Sequence, residues 1–161
     1  MKSYMLSSMV FKHSGSTVEA FHKAFPHDWL LWEPGGWRAP GNSTVQLSMS
    51  SPTPPPPDGE ALVFPMLVAK GQDQITLGRG PGVDIAINDG TLSQKHLLFM
   101  TDASGFWTVR DAGSRNGSWH NGAKLTPGKP EALENKSRIK AAAVTLTYYA
   151  PAGLIQRMRG G

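Results

Sequence analysis

Between positions 78 and 122 the chain sets glycines among cations, hydroxyls and amides in one order: Gly78-Arg79, Asp84-Ile85-Ala86-Ile87, Leu92-Ser93-Gln94-Lys95-His96, Asp111, Ser114-Arg115-Asn116-Gly117-Ser118 and Asn121-Gly122. An arginine guanidinium is a permanent cation whose planar fork pairs with phosphate or carboxylate oxygens. A serine hydroxyl turns its proton toward the acceptor it meets, and an asparagine amide donates and accepts together. These groups hold a charged, hydrogen-bonding partner. Groups that break bonds are not assembled in the same way. His13, His22, His27, His96 and His120 show no HExxH-type metal spacing, and no serine stands in a GxSxG context. The pattern reads as binding rather than catalysis, with no metal and no cofactor called for.

Such side chains need short elements that end in loops. The chain has 161 residues, 18 glycines and 13 prolines, with brief apolar runs between them and no long 3.6-residue period, which suits one turn-rich β core plus an appendage. Strands are expected over Leu62–Ala69, Gln74–Leu77, Asp84–Ile87, His96–Thr101, Phe106–Asp111, Ser118–His120, Arg138–Ala141 and Val144–Tyr149, all rich in β-branched and aromatic residues. Their spacing argues for an all-β, antiparallel two-sheet sandwich rather than βαβ units. Arg79, directly after Gly78, would project from a strand end into a loop. Asn121-Gly122 is a two-residue hairpin signal, and Gly117 and Gly122 read as positive-φ turn residues that shape the loops.

The ordered GR, SxxH and SxNG signatures, spread over 45 residues, resemble those of the forkhead-associated (FHA) domain, a module that binds phosphothreonine peptides. The likeness covers roughly residues 60–150 and implies an FHA/SMAD-like sandwich of about eleven strands with its ligand loops at one end. It further implies that Arg79 contacts phosphate, that the Ser93 hydroxyl donates to a phosphate oxygen, and that Asn116 reads the peptide main chain beside the phosphothreonine. Arg115, at a variable position, would add a second cation. His96 would tie the binding loops together, with Gly78, Ser114, Gly117, Asn121 and Gly122 as loop-shaping residues. A small apolar recess would hold the threonine methyl. Gln94 stands where many members have arginine, followed by Lys95, and both are candidates for the peptide surface. If Lys95 faces away, affinity rests more on Arg79 and Arg115. No arginine stands near Gly90 and Thr91, so the loop that reads the residue C-terminal to the phosphothreonine implies no acidic preference at that place. The implied function is phosphothreonine-dependent protein interaction in Ser/Thr kinase signalling or regulated assembly, and not enzymatic.

Four segments are expected: an N-terminal extension over 1–49, a Pro-rich linker over 50–59, the module over 60–150 and a basic frayed tail over 151–161. In the extension, Ser16-Thr17-Val18-Glu19 resembles a capping box that opens a short helix ending before Pro26. Trp29-Leu30-Leu31-Trp32 and Trp37, around Pro34-Gly35-Gly36, form an aromatic segment expected to pack on the module, a partner or another copy. The alternative function is accordingly a phosphate-independent scaffold or oligomerisation protein that uses sheet faces or this segment. Thr17, Thr44 and Thr53 are candidates for self-recognition once phosphorylated. Residues 1–58 hold four basic and four acidic side chains, residues 59–161 twelve and eight, so the net charge of +4 sits on the module and favours an acidic or phosphorylated partner. Nucleic acid ranks well below, because basic and aromatic residues do not interleave as on stacking platforms. The chain has no cysteine, and its apolar patch Tyr4 to Phe11 is too short to span a membrane, so the expected compartment is the cytoplasm.

Overall fold

The computed structural model describes residues 3–13, 15–33, 61–68 and 70–159; the Pro-rich linker, Trp37, Pro34-Gly35-Gly36, Thr44 and Thr53 lie outside them. In chain order the elements are β1 (Tyr4–Met5), α1 (Leu6–His13), α2 (Val18–Ala24), β2 (Trp29–Trp32), β3 (Leu62–Pro65), β4 (Gln74–Gly78), β5 (Ile85–Ala86), β6 (Leu97–Thr101), β7 (Trp107–Asp111), β8 (Ser118–His120), β9 (Ala123–Lys124), β10 (Glu131–Ala132), β11 (Arg138–Ala141), β12 (Val144–Tyr149) and α3 (Pro151–Met158). They form one sheet in the order β1-β3-β2-β12-β11-β8-β9 and a second in the order β10-β7-β6-β4-β5. The expected two-sheet sandwich is present. All strand pairs are antiparallel except β4 with β5, which run parallel because the loop carrying Arg79 crosses back before β5. Among the described residues no helix is long and apolar enough to cross a membrane.

The sheets meet over a core of Leu30, Trp32, Phe64, Ile75, Leu77, Phe99, Val109, Ile139, Leu146 and neighbours. Alternation along β11 places Ile139 and Ala141 inside and leaves Arg138 and Lys140 exposed. On β2 the alternation disappears, since all four residues are buried. Leu30 and Trp32 enter the inter-sheet core, whereas Trp29 and Leu31 lie in a second core on the sheet's outer face with Leu6, Met9, Phe21, Val63, Tyr149, Leu154, Ile155 and Met158. A strand covered on both faces gives a continuous apolar run, which is how Trp29-Leu30-Leu31-Trp32 appears in sequence. This segment is therefore the strand between β3 and β12, in register Trp29↔Pro65 and Tyr149↔Trp29.

Two local expectations are corrected. The N-cap of α2 is Thr17, whose hydroxyl accepts from Ala20 N–H at 3.1 Å, so Ser16 and Glu19 stand one position off a reciprocal capping box and Thr17 is engaged at a helix start. The C-terminal segment is not frayed: Pro151 opens α3, and Leu154, Ile155 and Met158 are buried against α1 and α2. Arg157 pairs with Glu33 just beyond β2, which fastens α3 to the sheet, and Tyr148 O–H on β12 donates to Asp28 just before β2. Burial, reinforced by Asp28, raises the Tyr148 phenol far above its usual range and keeps it a donor. Leu154 is fully buried, so Leu154→Ala should cost about 2–5 kcal/mol in denaturant unfolding. An unchanged midpoint would make the outer helical layer dispensable.

Candidate functional site

Strand β4 ends on Gly78, and the loop that follows is bound to the backbone of residues 93 and 94: Arg79 N–H donates to Ser93 O at 2.9 Å and Gly80 N–H to Gln94 O at 3.1 Å. The approach is so close that a Cβ on Gly78 would lie 2.7 Å from the Gln94 carbonyl carbon. Only glycine fits there. Thr76 and Asp84 clamp the far end of the Arg79 loop, because Thr76 N–H donates to Asp84 Oδ2 at 2.8 Å and Asp84 N–H to Thr76 Oγ1 at 2.9 Å. The Arg79 guanidinium uses Nε to donate to Leu92 O at 3.1 Å, which orients the fork and leaves its terminal amino groups for a ligand.

Loop 114–117 leads from β7 of the same sheet to β8 of the other. Arg115 N–H donates to Ser93 Oγ at 2.9 Å, so the Ser93 hydroxyl oxygen is already used as an acceptor and its proton is directed elsewhere. Asn116 Nδ2 donates to Thr91 O at 2.8 Å, and Oδ1 is left as an acceptor. Arg79, Gly90, Thr91, Leu92, Ser93, Gln94, Arg115 and Asn116 line one recess of about 230 Å³. Arg79, Arg115, Asn116 and Gln94 are exposed and Ser93 is half-buried, so the donors face solvent while their backbone is fixed. Among the described residues the recess holds two guanidinium groups and no carboxylate, an arrangement that attracts a doubly charged anion.

Two buried side chains set the distance between the loops. His96, with no exposed surface, accepts from Ser93 N–H at Nδ1, 3.0 Å away, and its Nε2 lies 2.9 Å from Gly117 O. The proton is thereby on Nε2, donating to Gly117 O, and the ring bridges both loops without facing the recess. Asp111, at the end of β7 and 2 % exposed, accepts from Gly113 N–H, Ser114 N–H, Ser114 Oγ–H and Ser118 Oγ–H. Burial pushes its carboxyl up, but the hydrogen bonds from Ser114, Ser118 and Gly113 together hold it below the ordinary 3.8. Ser114 Oγ also accepts from Gly117 N–H at 3.0 Å, which closes the turn. Gly117 has φ 88°, and Asn121 and Gly122 have φ 49° and 88°, giving the tight hairpin between β8 and β9.

Residues 75–142 match the model of the FHA domain. The chain carries an FHA domain. Over 72 residues it is 36% identical to E3 ubiquitin-protein ligase rnf8-A of Xenopus laevis, a match covering 42% of this chain and 13% of that protein, so the chain spans only a small part of the ligase. The solution structure of the FHA domain of an Arabidopsis thaliana hypothetical protein is 27% identical, with a TM-score of 0.52 over 76% of this chain and 85% of that one. A structure from an analysis of phosphothreonine-dependent FHA domain interactions has a TM-score of 0.51 over 77% of this chain and 96% of that one; at 16% identity it shares the fold.

Within the FHA domain, six of the residues singled out from sequence meet at or beside the recess: Arg79, Ser93, Gln94, Arg115 and Asn116 line it, and Gly78 lets its loops close. Lys95 is exposed and is not among the lining residues, because the chain turns inward at His96 just after it. The reading by motif underrated Asp111 and Thr91. Asp111 gathers four donors, and Thr91 joins the recess to the β11–β12 turn, since Ala143 N–H donates to Thr91 Oγ1 at 3.2 Å. Their types were visible in sequence; the loops they join were not.

Asp111→Asn keeps the shape but loses the charge that gathers these donors. It should cost roughly 1–3 kcal/mol at pH 7. Because the folded carboxyl sits below its unfolded value, its contribution is complete above that value and lost as pH falls through the folded one, so the variant's acid stability curve should be flatter than wild type below about pH 4. Equal acid slopes in urea titrations from pH 2 to 7 would contradict this account. Gly78→Ala should be more damaging than Gly82→Ala, where a Cβ meets nothing within 4 Å but φ is 84°; thermal unfolding of the two variants gives the comparison.

Proposed function

We propose that this FHA domain reads phosphothreonine in a protein partner, through the recess between the Arg79, Ser93 and Asn116 loops. FHA domains are phosphothreonine-binding interaction modules. The observation that carries the reading for this chain is the convergence of two guanidinium groups, one directed hydroxyl and one amide on a single 230 Å³ recess with no carboxylate among the described residues of its wall. In this reading Arg79 and Arg115 neutralise a group of nearly two negative charges, Ser93 donates to a phosphate oxygen, and Asn116 exchanges Thr91 O for the peptide backbone. Gln94 flanks the peptide, whereas Lys95 acts only at long range. Nothing here forms or breaks a bond. Capture is reversible, and the charge state of the partner is set by a Ser/Thr kinase and its opposing phosphatase.

The folding unit proposed for this task extends beyond residues 60–150, because β2 and α3 supply part of its larger sheet and outer core. Calorimetric titration with a degenerate phosphothreonine peptide pool should give saturable binding that the unphosphorylated pool does not. Arg79→Ala should weaken it by about 10- to 100-fold, the equivalent of losing a charge-assisted bond of roughly 1.5–3 kcal/mol. An Arg79→Ala protein that folds and binds phosphopeptides as wild type would refute the assignment. Phosphate-independent binding of both pools would favour the scaffold alternative.

A further inference from the structure

The outer helical layer covers only part of the seven-stranded sheet. It lies over β2, β3 and the end of β12, while on β11 the outward residues Arg138 and Lys140 are exposed. In register, Lys140 stands opposite Trp119 on β8, and Trp119 stands opposite Lys124 on β9, so the three side chains form a row across adjacent strands on the same face. The Lys140 ammonium is 5.6 Å from the centroid of the Trp119 ring. Trp119, Arg138, Lys140 and Thr145 bound a groove of about 360 Å³, larger than the recess and without an acid among the described residues of its wall. Glu33 pairs with Arg157, and Glu131 lies 3.6 Å from His120 Nδ1. Nothing in the recess chemistry uses this groove.

One wall of the groove lies beside the loop that holds Asn116. Gly117 follows Asn116, and a Cβ at Gly117 would stand 3.2 Å from Trp119 Cη2 and 3.4 Å from Lys124 Cε. Trp119, a wall of the groove, therefore packs against the end of the loop that holds Asn116. We propose that it is a second docking site, taking an acidic stretch of the same phosphorylated partner, so that recognition is bipartite. This rests on the phosphothreonine reading. The charge sign selects carboxylates. Spacing supports an extended chain, because Arg138 and Lys140 are two positions apart on one strand, roughly 7 Å, the same interval as alternate side chains of an extended peptide. The indole acts as a wall that the aliphatic parts of those side chains pack on. A single-stranded nucleic acid would need an open ring face for base stacking, and Lys140 already stands over Trp119. The site is separate from the loop near Gly90 and Thr91, so it concerns residues more distant from the phosphothreonine.

The test uses the full chain and four synthetic probes: a phosphothreonine peptide with neutral flanks, the same peptide extended by six Asp and Glu residues on its N-terminal or on its C-terminal side, and an unphosphorylated acidic peptide. One of the extended peptides should bind about tenfold more tightly than the neutral one, with the gain shrinking as salt is raised. Arg138→Glu with Lys140→Glu should abolish that gain and leave affinity for the neutral-flank peptide unchanged, which also shows that the recess is folded; Arg138→Gln with Lys140→Gln should lose most of it. No gain from either extension, or a gain that survives charge reversal, overturns the proposal. So does an oligothymidylate that binds this face more tightly than the acidic peptide. If the neutral-flank phosphopeptide fails to bind wild type while the acidic peptide binds and is lost on charge reversal, the phosphothreonine reading falls and the basic groove stands.

Discussion

One buried carboxylate governs the loop end of the sandwich. Asp111 sits where β7 stops, accepts four hydrogen bonds from residues 113, 114 and 118, and stays ionised because those donors outweigh the cost of burial. A carboxylate with several partners in a low-dielectric interior tolerates little displacement, since each lost donor leaves charge unsatisfied. The turn holding Arg115 and Asn116 is thereby fixed to the start of β8. His96 carries the constraint onward by joining Ser93 N–H to Gly117 O. The proposed phosphate recess thus depends on two ionisable side chains that do not line it.

This arrangement separates rigidity from charge. The groups offered to a ligand are exposed arginines, a hydroxyl and an amide, which water can reach and a partner can desolvate. Their backbone is held by short bonds between loops, such as Arg115 N–H to Ser93 Oγ. Less ordering then accompanies capture, so more of the interaction energy appears as affinity. The exposed loops need a foundation, and the larger sheet provides it by being buried on both faces over β2, β3 and part of β12, with its basic uncovered part at β8, β9 and β11.

Much of this was legible from residue order. The strands over 118–120, 138–141 and 144–149 follow the composition of those segments, and Asn121-Gly122 announces its hairpin because two successive positive φ angles favour that pair. Short strands such as β9 and β10 were not legible, since two residues, none of them buried, have no period and pair only because a neighbouring edge is available. The tail was misread for a related reason. Leu154, Ile155 and Met158 make a brief amphipathic turn that gains nothing until Trp29, Phe21 and Leu6 are beside it.

Sequence alone determined the chemistry on offer: which cations, hydroxyls and amides exist, their order along the loops, and the β class of the core, because side-chain type and local period are properties of the chain itself. Tertiary structure decided the rest. It placed Trp29–Trp32 inside the sheet, left Lys95 out of the recess lining, made Asp111 the anchor of the loops, and set Trp119 beside Lys140 and Gly117. Each of these is a meeting of residues distant in sequence, and such meetings are selected by the joint burial of two surfaces, which neither segment encodes by itself.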